Sequence, residues 1–202
     1  MNRGTIVLAV IGLFVLILGF NGCSSYNGMN KLEKGVTAQW SKVENAYQRR
    51  NDLIPNLVAV VQNYADFEKS TLEAVINARA NATKVTIDPS KLDEASLAKF
   101  QEVQGAVSSS LSKLLVVAEN YPDLKANQNF LSLQTQLEGT ENRISNERRV
   151  FIESVQDYNT SISMFPRKIW ASMFGFKEHA TFEMTEGADK APDVNSLFKK
   201  NK

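Results

Sequence analysis

Residues 36–64, VTAQWSKVENAYQRRNDLIPNLVAVVQNY, carry the pattern from which the architecture of this chain derives. Their apolar side chains fall at Val36, Trp40, Val43, Tyr47, Ile54, Leu57, Val61 and Tyr64, in steps that mostly alternate four and three. That spacing keeps one face of a helix turned toward a partner, as in a heptad seam. The series continues through Thr71, Val75, Ala78 and Ala82, and charged residues hold two of its slots, Arg50 and Glu68. A flank of Leu53, Val60, Phe67 and Leu72 widens the stripe enough for a helix that packs against two neighbours. One helix reaching to Ala82 is therefore expected. Pro55 lacks an N–H and crowds the preceding turn, yet the register runs on past it, which predicts a kink rather than a stop.

The same spacing recurs downstream. Leu137, Ile144, Phe151, Val155, Tyr158, Ile162 and Phe165 form a second long seam, with Glu141 and Arg148 in its charged slots. Between the two, Phe100, Val103, Val107, Leu111, Leu114 and Ala118 make a weaker stripe, diluted by Gly105 and the serines at 108–110. Pro89, Pro122 and Pro166 fall between these segments, and Ser90 and Asp123 suit the first turns of the helices after them. No stretch shows sustained period-two alternation. The expected fold is all-α: a long three-helix antiparallel bundle with an N-terminal membrane segment and a short C-terminal helix.

Ahead of the bundle, residues 5–20 read TIVLAVIGLFVLILGF, uncharged throughout. At ~1.5 Å per residue they cover about 24 Å, a little less than a ~30 Å hydrocarbon core. Three readings of residues 1–25 stay open. The first is a transmembrane helix. The second is a lipoprotein-type signal with Cys23 as the lipid attachment site, although Phe20 and Asn21 stand where such signals prefer smaller residues. The third is ordinary secretory cleavage near Gly22 and Ser24. Residues 26–182 form the expected bundle domain, and 183–202 a polar tail expected to be disordered. Positive charge at Lys31, Lys34 and Lys42 pulls the domain toward the cytoplasm, whereas the signal-like shape and Cys23 pull it outward. The expected location is the bacterial cell membrane, with the domain extracytoplasmic.

Three passes, up, down and up, would run the first and third helices parallel. Arg50 and Glu141 would then differ by only ~4.5 Å in height and pair inside the bundle, while Glu68 and Arg148 would stay ~12 Å apart. The segment 166–177, which mixes Trp170, Phe174 and Phe176 with Arg167, Lys168 and Lys177, would lie at the tip farthest from the membrane.

Several phrases of the chain are also distinctive. Residues 38–45 (AQWSKVEN), 48–58 (QRRNDLIPNLV), 119–127 (ENYPDLKAN) and 137–144 (LEGTENRI), with Tyr158-Asn159-Thr160 before Phe165-Pro166, closely resemble the LemA family. The resemblance runs from about residue 26 to 182. It implies an N-terminally anchored bacterial membrane protein with a long helical domain, and no established biochemical activity. Some members of the family look like lipoproteins, with a cysteine just ahead of the Tyr-Asn matched here by Tyr26-Asn27.

No catalytic, metal or cofactor residue is expected. A net charge of +1 with interleaved signs gives no nucleic-acid footprint. A single cysteine rules out an intramolecular disulfide, and one histidine rules out Glu-x-x-His di-metal motifs. His179 has no nucleophile in a recognisable motif, and Arg49, Arg50, Asp52, Glu141, Arg148 and Arg149 read as bundle charges rather than an acid–base set. The expected function is a non-enzymatic scaffold or adaptor anchored in the membrane, meeting envelope proteins or itself, with no small-molecule substrate. The alternative is a membrane-remodelling or interfacial protein acting through residues 166–177.

Overall fold

The computed structural model describes residues 2–64, 67–89 and 92–182. Six helices are arranged in the order α1 (Arg3–Gln62), α2 (Lys69–Ala82), α3 (Glu94–Ala118), α4 (Pro122–Lys125), α5 (Gln128–Ser163) and α6 (Arg167–Phe174). The described residues contain no strand. The polar tail expected at 183–202 lies outside the described residues.

A single helix, α1, carries both the apolar run and the first seam. Its 60 residues extend about 90 Å at ~1.5 Å each. No residue from 5 to 20 is buried, and this is the described segment long and apolar enough to cross a membrane. Packing begins at Gly22 and Met29, and α1 then buries Val36, Trp40, Val43, Tyr47, Ile54, Leu57 and Val61, the residues that the spacing singles out. The helix passes through Pro55 without interruption. Proline offers no N–H to the carbonyl four residues back, which here belongs to Asn51. Arg79 on α2 donates its Nε–H to that carbonyl at 2.8 Å. The freed acceptor is thereby satisfied by a neighbouring helix.

Helix one does not reach Ala82. It stops at Gln62; Phe67 turns inward against Tyr121 at 5.0 Å, and Glu68 adopts an extended backbone before α2. The Glu68 carboxylate accepts hydrogen bonds from the hydroxyls of Ser70 (2.7 Å) and Thr71 (3.1 Å), which steadies the new helix start. The heptad spacing survives the reversal because Thr71, Val75 and Ala82 are still buried, now on a separate helix. Other boundaries obey local chemistry. Asp93 caps α3 by accepting the Ser96 N–H, Pro122 opens α4, and Asn127 caps α5 by accepting from Asn129 and Phe130.

That extra turn changes the count of passes. The chain climbs along α1, descends on α2, climbs on α3 and descends on α5, so α5 runs antiparallel to α1 rather than parallel. The contacts mark the direction: Asn127 reaches Tyr64, Glu141 reaches Arg50, Glu147 reaches Gln39, and Arg167 lies beside Gly28. A long α1–α5 pair stands beside a shorter α2–α3 pair. Their core divides in two along the axis. The lower cluster is rich in rings, including Trp40, Tyr47, Phe100, Phe151, Tyr158 and Phe182. The upper is mostly aliphatic, including Ile54, Leu57, Val61, Val75, Val107, Leu111 and Leu114.

Candidate functional sites: a polar layer, a groove and a membrane-proximal collar

At the junction of the two clusters sits Arg50, 1 % exposed. Its Nη1 donates to Glu141 Oε1 at 2.7 Å and to Ser108 Oγ at 2.6 Å, and its Nη2 to Gln104 Oε1 at 2.7 Å and the Gln104 carbonyl at 3.1 Å. The guanidinium carbon lies 5.1 Å from the centre of the Tyr47 ring. Helices α1, α3 and α5 are thus bound at one height, and Arg79 adds α2 through the Asn51 carbonyl just beside it. Glu141 is 44 % exposed, so one end of the pair faces water while the other is sealed. Such a layer is a register device: any slip of one helix would strand a buried charge, at several kcal/mol.

Arg50 and Glu141 lie 2.7 Å apart, but not through the parallel run of the first and third helices from which their pairing is expected: α1 and α5 are antiparallel. Glu68 is exposed at the start of α2 and holds no inward slot, because α1 ends before it. Arg148 is half-buried on α5, its guanidinium 4.4 Å from the centre of the Phe182 ring. Sequence reasoning misses Gln104, Ser108 and Arg79. Gln104 and Ser108 lie one turn apart within the diluted stripe of α3, a spacing that could have flagged a polar face turned inward.

Beyond the polar layer, a groove of about 500 Å³ opens between α3 and α5. Leu111, Leu115 and Leu137 give it an apolar floor, and Ser108, Ser112, Glu138, Glu141 and Asn142 a polar edge.

The opposite end of the bundle forms a collar around α1. Trp170 covers Gly22 so closely that a Cβ there would lie 3.1 Å from the indole ring. Tyr26 meets Phe174 edge-on at 5.1 Å and Phe176 at 5.6 Å. Arg167 donates to Ser161 Oγ at 2.8 Å, tying α6 back to α5. The segment 166–177 therefore lies at the membrane-proximal end. The expectation that it sits at the distal tip fails, because four passes, not three, return the chain to its anchor.

From Gly175, which takes the left-handed φ of 79° that ends α6, a strap runs back up the bundle. The Tyr158 hydroxyl donates to the Lys177 carbonyl at 2.9 Å, and burial, with Glu33 nearby, pushes its pKa up to about 12. Asn159 holds both the N–H and the carbonyl of His179, whose ring stacks on Tyr158 at 4.8 Å. Burial holds the His179 imidazole below its ordinary pKa, with Glu33 pulling the other way. The Ala180 N–H donates to the Leu92 carbonyl, and Phe182 enters the core against Trp40 and Phe151. Tyr158 and His179 are occupied in this clasp, a structural duty. Cys23 is exposed on α1. Among the described residues, no group of three or more His, Cys, Asp or Glu side chains converges as a metal ion would need.

A family model described as "LemA family" matches residues 39–196. Magnetosome protein MamQ of Magnetospirillum gryphiswaldense is 23% identical, over 98% of this chain and 80% of its own length. Magnetosome protein MamQ 2 of Paramagnetospirillum magneticum is 22% identical, over 95% of this chain and 75% of its own. Protein LemA of Metamycoplasma hominis is 23% identical, over 78% of this chain and 66% of its own.

Proposed function

Because the chain belongs to the LemA family, we propose that it is a non-enzymatic, membrane-anchored scaffold of the bacterial envelope that offers its bundle to protein partners or to a second copy. The protein is a membrane-associated helical protein. The observation that carries it is the groove between α3 and α5. It combines apolar floor and polar edge in the half of the bundle held away from the membrane by the continuous α1. A helix-in-groove partner needs that combination. The proposed side is extracytoplasmic, supported by the signal-like residues 1–25 with Cys23; protease shaving of spheroplasts that left the domain intact until lysis would reverse it.

The test of the scaffold reading is photo-crosslinking in cells from Leu115, inside the groove, against Asp52, on an exposed face of α1. Discrete adducts from Leu115, and none from Asp52, are expected. Equal labelling from both positions, or none from Leu115, would remove the groove as a docking surface.

A further inference from the structure

We propose that α6 and the residue preceding its proline form a membrane-seating surface, inserted in the interface of the same bilayer that holds α1. The inference is independent of whether the groove has a partner.

The inner face of α6 is used up: Ala171 is buried, and Trp170 and Phe174 lie against Gly22 and Tyr26. Its other face is apolar without a protein neighbour to justify it. Phe165, Ile169 and Met173 succeed each other at four-residue steps and are 84 %, 55 % and 66 % exposed. Residues spaced by four share one side of a helix, so Ile169 and Met173 make a stripe on α6, and Phe165 is exposed in the turn just ahead of it. Lys168 on α6 and Lys177, just past its end, are both exposed. An apolar stripe accompanied by lysines and aromatic rings is the chemistry of a helix lying in the headgroup region, with its cations on lipid phosphates.

Position identifies the occupant. The run 5–20 covers only about 24 Å, so a ~30 Å core needs roughly four more residues, ending near Ser24. Trp170 packs on Gly22, inside that added turn. The collar is therefore at the height where hydrocarbon gives way to headgroups, and α6 supplies apolar surface where α1 turns polar at Asn21.

The experiment uses the full chain with Cys23→Ser and a single cysteine introduced at Met173, labelled with an environment-sensitive fluorophore and reconstituted into vesicles of phosphatidylglycerol and phosphatidylethanolamine. Met173 is exposed, so the label leaves the packing of α6 on α1 in place. A matching label at Lys113, on α3, is the distal reference. The Met173 probe is expected to shift to the blue and to lose most of its emission to lipids that carry a quencher near the headgroup; the Lys113 probe should do neither. Lys168→Glu with Lys177→Glu should reduce the quenching in anionic vesicles. Quenching of the Met173 probe by aqueous iodide alone would overturn the proposal. So would protection from both quenchers accompanied by Met173-to-Met173 crosslinking, which would mean that a second copy covers the stripe.

Discussion

The lower and upper halves of this bundle are built differently. Near the membrane the core is a lattice of rings: Trp40 meets Phe100 at 5.2 Å, Phe151 at 5.3 Å and Phe182 at 5.9 Å, and Tyr47 meets Phe100 at 5.0 Å. A strap and α6 close it from outside. Away from the membrane the core is aliphatic, and α3 and α5 part to leave an open groove. Between the halves lies the Arg50 layer. The difference suggests a division of labour, in which the lower half is a fixed base and the upper half an accessible surface, set in register by a charge that tolerates no slip.

The contrast can be broken from the base first. Trp40→Ala should cost about 3–5 kcal/mol, measured by chemical denaturation, because a fully buried indole at the meeting point of three rings leaves a cavity. Leu114→Ala in the upper half should cost about 2–4 kcal/mol, and hydrogen exchange should show its loosening confined to α2 and α3. Equal loosening of both halves by both variants would deny that they are separate units.

Next comes the layer itself. Glu141→Leu should destabilise by about 2–4 kcal/mol, since the charge left behind, Arg50, is the buried member. Replacing Arg50 and Glu141 together with Met and Leu should recover most of that loss, although Gln104 then keeps unpaired groups. A double-mutant cycle with no coupling would show that the layer is incidental. A smaller loss, about 1–2 kcal/mol, is expected for Arg79→Met, which leaves the Asn51 carbonyl without its donor beside Pro55.

The smallest effect concerns the strap. With its pKa depressed in the folded state, His179 stays neutral at a pH where the unfolded chain begins to bind a proton, near 6.5. Its contribution is fully present above that pH and is lost as pH falls through the lower, folded value. His179→Phe, which keeps a ring on Tyr158, should flatten this part of the stability–pH curve; an unchanged slope would place the titration elsewhere.

Much of this architecture is legible in the sequence. The seam positions within 36–64 and 137–162 are buried largely as spaced, and Arg50 and Glu141 meet. The topology is not legible in the same way. Periodicity reports which face of a helix is covered, and it continues across a reversal if both helices bury the same phase. Glu68 is the sign: a charge in an apolar seam marks the start of α2, where its carboxylate binds Ser70 and Thr71. Reading it as a seam charge joins two helices into one, reverses α5 and moves residues 166–177 to the wrong end. Gly22 carries a second signal, the small residue on which Trp170 packs, which is visible only once the two are known to be neighbours.

The return of the chain to its anchor is the central claim, and a distance measurement tests it directly. In the Cys23→Ser background, pairs of spin labels at Lys34 and Lys177, and at Gln62 and Lys177, would be compared by pulsed dipolar spectroscopy on the full chain in a bilayer. The Lys177 carbonyl is held by Tyr158, so four passes put that residue low on α1, and the Lys34 pair should be the short one. The Gln62 pair should be longer by roughly 40 Å, the rise of the helix between Lys34 and Gln62 at ~1.5 Å per residue. A short Gln62 pair and a long Lys34 pair would restore the three-pass bundle and remove α6 from the membrane.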